Sequence, residues 1–204
     1  MNVIDIAEQR FPGYREDRYN VLARTRLDTS IGLLLATLPR EEWNRHANYA
    51  GMVEHLQGIH RGILEHGAAL AQALTALAEG KVGATQAPSL NRQLREGMKQ
   101  YAEHLHAHHR IEDHQLFPGI LQSYRRIERP LALLEADHRV LNAAVESFER
   151  VLRDYPADDA QVSAYDRLAQ AAALTERAAR RHIHDEEAIV VPPLLGMGPA
   201  AAAA

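Results

Sequence analysis

The chain contains no cysteine. Disulfides, thiolate metal sites and iron–sulfur ligation by its own residues are therefore excluded, and the absence agrees with a reducing compartment. Any metal held here must take nitrogen and oxygen ligands. Long hydrophobic runs are also missing. The longest apolar stretch near the start, residues 31–38, is too short to cross a bilayer and lies too deep for a signal peptide. Neither charge sign forms a block: lysine and arginine number 23 against 27 acids, for a net −4. Nothing in that balance selects nucleic acid or a membrane as partner. The expectation is a cytoplasmic protein with one main domain in its 204 residues.

Histidine is what the chain has in excess. The twelve lie at 46, 55, 60, 66, 104, 106, 108, 109, 114, 138, 182 and 184, and so many imidazoles without a thiol point to metal or proton chemistry. The densest stretch runs from Tyr101 to Pro118. Within it His108 and Glu112 stand four residues apart, a turn of about 400° on a helix, so both side chains leave one face and can grip one ion. His182, Glu186 and Pro192 repeat the spacing of His108, Glu112 and Pro118 at an offset of 182 − 108 = 74.

The periodicity predicts four long helices joined by short connections, an all-α up-down-up-down bundle. Residues 1–40 form an extension that docks on it, residues 41–195 the bundle, and residues 196–204 a flexible tail. In the first helix, 41–79, the seam is Val53, Leu56, His60, Ile63, Gly67, Leu70, Leu74 and Leu77. Residues 80–88 read as a loop, and Ser89 can cap a second helix that Pro118 kinks or ends. Pro130 opens a third, with the seam Leu131, Leu134, His138, Leu141, Val145, Phe148 and Leu152. Tyr155-Pro156 breaks it, Asp158 can cap a fourth, and that helix runs to about Val191 before Pro192-Pro193.

The halves align on each other, His60 over His138 and His108 over His182, with Glu112 over Glu186 and Asp113 over Glu187. His109 falls over Ile183. A lone histidine in a leucine seam is usually a hydrogen-bonded core residue, and a lone His-x-x-x-Glu a solvated pair. Six such groups at duplicated positions are different, since each unpaired buried polar group costs about 1–3 kcal/mol. His60, His108, Glu112, His138, His182 and Glu186 are thus candidate ligands for two ions, whose mutual repulsion a carboxylate placed between them would lower. His104 and Tyr101 stand one and two turns before His108 and are candidates to line the approach. Asp113 and Glu187, about 100° away, rank second, as groups that orient a neighbour or substitute for a glutamate. His55, His66, His106, His109, His114 and His184 read as surface or rim residues.

On these residues the chain resembles the hemerythrin-like, HHE cation-binding proteins: His60, then His108-His109-Arg-Ile-Glu112 before Leu-Phe-Pro, then Ala-Asp-His138, then His182-Ile-His-Asp-Glu186 before Val-Val-Pro. The likeness spans about residues 41–195. It implies a non-haem di-iron centre in a four-helix bundle, held by the six positions above with Glu112 and Glu186 as bridges; manganese or zinc would also suit such donors. Its ligand set looks closer to di-iron proteins that repair iron–sulfur clusters than to oxygen carriers, although those carry a cysteine-containing amino-terminal segment and this chain has no cysteine. The function so implied is binding or sensing of oxygen, nitric oxide or peroxide, or holding iron. The alternatives are a di-iron enzyme acting on nitric oxide, peroxide or ferrous iron, and a metal-free helical interaction module.

Overall fold

Steps of three and four between apolar residues become buried stripes on four long helices. The computed structural model describes residues 2–31, 38–81, 87–154 and 162–197, and these hold helices and turns without a strand. Helix α1 (Val3–Arg10) precedes the bundle, which consists of α2 (Glu54–Ala78), α3 (Ala87–Ile111) continued by α4 (Phe117–Ser123), α5 (Glu128–Asp154) and α6 (Val162–Met197). α2 packs on α3 and α6, and α5 packs on the same two, which closes a ring of four. Gly67 meets Tyr101 and Gly97 meets Leu70, the crossed order of an antiparallel pair. Residues 155–161, with the Tyr155-Pro156 break and the Asp158 cap, lie outside the described residues, as do the loop positions 82–86 and the tail from 198.

Both histidine-bearing seams are buried as their spacing predicts: Val53 just before α2 and Leu56 to Leu77 along it, and Leu131 to Phe148 along α5. Three boundaries differ from expectation. α2 begins at Glu54, because Ala50 is extended and Gly51 takes φ +101°, a conformation that stops a helix and suits glycine. α3 begins at Ala87, which places Ser89 inside its first turn. α6 continues through Pro192 and Pro193 to Met197. A proline inside a helix costs roughly 3 kcal/mol. Val190, Val191, Leu194 and Leu195 on the same turns are buried, and each such side chain returns about 1.5–3 kcal/mol. Asn48 also donates its side-chain amide to the Leu195 carbonyl (2.8 Å).

Pro118 does not end its helix either. A wide π turn, Glu112–Leu116, joins α3 to α4, and His114 Nδ1 donates to the Arg110 carbonyl at 3.0 Å. The turn loosens the backbone where the proline lacks a donor, directly after Glu112.

The segment before the bundle is tied into it. Ala7, Phe11, Tyr14, Tyr19, Val21, Ile31 and Trp43 share one apolar cluster with Leu131, Leu134, Phe117 and Val190. A second cluster, around Ile63, Leu70, Leu105, Val145 and Phe148, fills the opposite end of the bundle. Between the two lies a polar layer.

Candidate metal centre

Each long helix brings polar side chains into that layer at the point where its seam passes from one apolar cluster to the other. On α2, His60 stands between Leu56 and Ile63; on α3, His108 follows Leu105, and in the π turn that continues it Glu112 precedes Phe117. His138 of α5 follows Leu134, and His182 and Glu186 of α6 precede Ile189. All six are at most 5% exposed. The structure brings all of them together.

The inward atoms lie close. His108 Nε2 is 3.1 Å from Glu112 Oε1, and His60 Nε2 is 3.3 Å from Glu186 Oε2 and 4.0 Å from Glu112 Oε1. On the other side His138 Nε2 is 3.4 Å from Glu112 Oε2, and His182 Nε2 is 3.6 Å from Glu186 Oε2. One oxygen of Glu112 therefore faces His60 and His108 while the other faces His138. Metal–ligand bonds of about 2.1 Å at near-right angles put neighbouring donors roughly 3 Å apart. The observed spacings need only slight contraction.

A seventh residue belongs to the cluster. The sequence reads His109 as a surface or rim residue, but it is 1% exposed, stacks on His138 with centroids 4.0 Å apart, and meets His182 edge-on. The correction has a geometric cause. α3 sits between α2 and α5, so two adjacent residues about 100° apart can both face inward, His108 toward α2 and His109 toward α5. Two groups result that could each hold a metal ion: His60, His108, Glu112 and Glu186, and then His109, His138 and His182.

The far nitrogens are held as such a role requires. Nδ1 of His60 lies 3.1 Å from Glu187, Nδ1 of His138 2.8 Å from Asp113, Nδ1 of His109 2.9 Å from the Asn142 side-chain oxygen, and Nδ1 of His182 3.3 Å from Asp137. Each partner is an oxygen acceptor, so each Nδ1 carries a hydrogen and Nε2 is the nitrogen turned inward. Asp113 and Glu187, ranked second from sequence, thus orient the two histidines that the internal repeat pairs. Meanwhile Nε2 of His60, His108 and His109 and all four carboxylate oxygens of Glu112 and Glu186 are buried without a hydrogen bond among the described residues. At about 1–3 kcal/mol each, such orphans need a compensating partner, and this nitrogen–oxygen donor set fits divalent cations.

Comparison with known proteins agrees with this geometry: residues 51–194 match the family model for the hemerythrin HHE cation binding domain. The chain belongs to that family. No curated protein and no solved structure gave a significant match. The first fifty residues, including α1, lie outside the matched hemerythrin HHE domain.

Charge in the metal-free HHE site is unevenly shared. Burial disfavours the His138 imidazolium, yet Asp113 and Glu112 outweigh it and raise its pKa to about 10. His60 is likewise raised well above the ordinary value, against its burial, by Glu186, Glu112 and Glu187. Burial, only partly offset by Glu186, lowers His108 to about 3, and burial together with the neighbouring imidazoles lowers His109 well below its ordinary value. Of the two carboxylates, burial and the charge of Glu186 raise Glu112. Glu186 is lowered despite its burial, because His60, His108 and His182 surround it.

A groove of about 630 Å³ opens between α2 and α3/α4 and is lined by His108 and Glu112 together with Leu56, Ile59, Ile111 and Leu194. His104 is exposed on its wall. Tyr101 is buried instead, edge-on to His66 and against Gly67. His55, His114 and His184 are exposed, and His66 and His106 are half-buried. Losing a group of a metal site usually costs about 10–100-fold in affinity, so a His109→Ala chain is expected to retain less metal than wild type, while His104→Ala keeps wild-type loading. Elemental analysis of protein purified without chelator or polyhistidine tag measures both.

Among the described residues no helix is long and apolar enough to cross a membrane.

Proposed function

We propose that this HHE domain holds two iron ions and binds a small ligand, oxygen, nitric oxide or peroxide, at one of them. His60 and His108 would hold the first ion and His109, His138 and His182 the second, with Glu112 and Glu186 shared. The placement of Glu112, with one oxygen toward each histidine group, carries this reading. Manganese or zinc also suits the donor set, and iron is the choice on which the ligand chemistry depends.

The two positions are unequal. The first has two imidazoles and the second three, so the first leaves more of its coordination sphere to an outside ligand. It is also the one whose residues, His108 and Glu112, line the groove. Bound iron would supply a Lewis-acidic, redox-active centre there. The chain would supply fixed Nε2 donors through the Nδ1 contacts, and apolar side chains, Leu56, Ile59 and Leu194, along the approach.

Anaerobic reconstitution of the metal-free protein with ferrous iron, followed by optical titration with oxygen, nitric oxide and peroxide in turn, tests the proposal. Two iron ions per chain and a saturable spectral change with at least one ligand are expected. No spectral response to any of the three would overturn ligand binding.

A further inference from the structure

Arg24 is a fully buried cation contributed by the segment outside the family match. Its guanidinium donates from Nη1 to Asp137 Oδ1 (2.9 Å) and to the Tyr19 carbonyl (2.6 Å), from Nη2 to Asp137 Oδ2, and from Nε to Asp185 Oδ2 (2.7 Å). The Tyr14 hydroxyl donates to Asp137 Oδ1 at 2.8 Å and accepts from the Val21 amide at 3.2 Å. Asp137 in turn meets His182 Nδ1. A second arginine before the bundle does the same on the other side of the site. Arg40 donates from Nη1 to Glu187 Oε2 (2.8 Å) and from Nη2 to the His184 carbonyl, packs over Trp43, and Glu187 Oε1 meets His60 Nδ1.

We propose that Arg24 and Arg40 are positioning residues of the metal centre, each clamping the carboxylate behind one ligand histidine, so that the segment before the bundle sets the affinity of the two metal positions separately. This rests on the two-metal reading above. Arg24 acts through Asp137 on His182, in the three-histidine group. Arg40 acts through Glu187 on His60, in the two-histidine group.

A carboxylate bonded to an imidazole fixes the ring and strengthens its free nitrogen as a donor. A guanidinium on that carboxylate holds it in place and draws charge back, so both geometry and donor strength pass through the arginine. Packing alone gives a poor account of Arg24. Burying a cation and its acids is expensive, and apolar side chains of similar volume would serve a core as well or better. Asp113 behind His138 supplies an internal contrast: its side chain is 31% exposed, and among the described residues it has no arginine partner.

The test is titration of the metal-free full chain with cobalt(II) against a competing chelator, reading both affinities and the visible cobalt spectrum. Wild type is compared with Arg40→Met, Arg24→Met, Arg24→Lys and Tyr14→Phe. Arg40→Met should weaken one cobalt position about tenfold and shift its bands while the other stays unchanged; Arg24→Met should do the reverse. Tyr14→Phe should act in the direction of Arg24→Met, by less, and Arg24→Lys should recover only part of the loss because it lacks the fork. A merely structural role predicts lower thermal midpoints for these variants, with both affinities and the spectrum as in wild type, and that result overturns the inference. If Arg24→Met fails to fold, Tyr14→Phe and Arg40→Met decide. Wild type taking up fewer than two cobalt ions would remove the two-metal reading and this inference with it, whereas two ions with unperturbed variants would remove the inference alone.

Discussion

A chain carrying Glu112→Ala and Glu186→Ala together is expected to fold, to keep its helicity, and to lose paired metal binding, falling from two ions to at most one. Among the described residues the carboxylates are the only acids in the two candidate groups; Glu112 turns a separate oxygen toward each histidine set, and Oε2 of Glu186 lies near His60 of one set and His182 of the other. Without them two divalent cations a few ångströms apart would face each other across neutral imidazoles, and their repulsion would go uncompensated. Stability of the metal-free chain should fall as well, because His60 and His138 lose the carboxylates that offset the cost of their buried charge. The cavity left by two truncated side chains adds to that loss. Circular dichroism, chemical denaturation of the metal-free protein and elemental analysis of the loaded protein together decide. A variant that still binds two ions with wild-type affinity would show that the acids are not bridges.

The fold was legible because its signals are local. Leu56, His60, Ile63 and Gly67 recur at helical spacing, and a burial stripe needs nothing more to be read. The six candidate ligands stood out by repetition, and Asp113 and Glu187 by their place beside Glu112 and Glu186. His109 was missed because its repeat partner is Ile183: the two halves are not equivalent, and the fifth imidazole is where they part. The His108-His109 doublet, with Asn142 one turn after His138 on the facing helix, was the available signal. Helix ends were misjudged where long-range packing overrides a local breaker, as at Pro192 and Pro193. Arg24, Tyr14 and Arg40 had no periodicity to betray them. Their roles depend on partners 113, 123 and 147 residues away, which no window of sequence contains.

Metal uptake at neutral pH is expected to release at least two protons per chain. His138, raised to about 10, and His60, raised well above its ordinary value, both carry a proton at pH 7 in the metal-free protein. Their Nδ1 hydrogens stay in place, donated to Asp113 and Glu187, so the proton displaced is the one on Nε2, where a metal must bind. His108 and His109 are already neutral and contribute none. The product of the two binding constants should therefore rise roughly a hundredfold per pH unit in this region, one decade for each proton displaced. Calorimetric titration in buffers of differing ionisation enthalpy counts the protons directly, and a count of zero would refute the charge distribution described here. Asp113→Asn should remove about one proton from the count, since it takes away the leading support for charge on His138. The same shifts act on folding with the opposite sign. A group whose pKa is higher folded than unfolded stabilises the fold fully below the unfolded value and loses that contribution as pH rises through the folded one. For His138 the window runs from about 6.5 to about 10. The metal-free chain should thus weaken with rising pH across the range in which its affinity for metal grows, and urea denaturation at pH 6.5 and pH 9.5, with and without metal, separates the two trends.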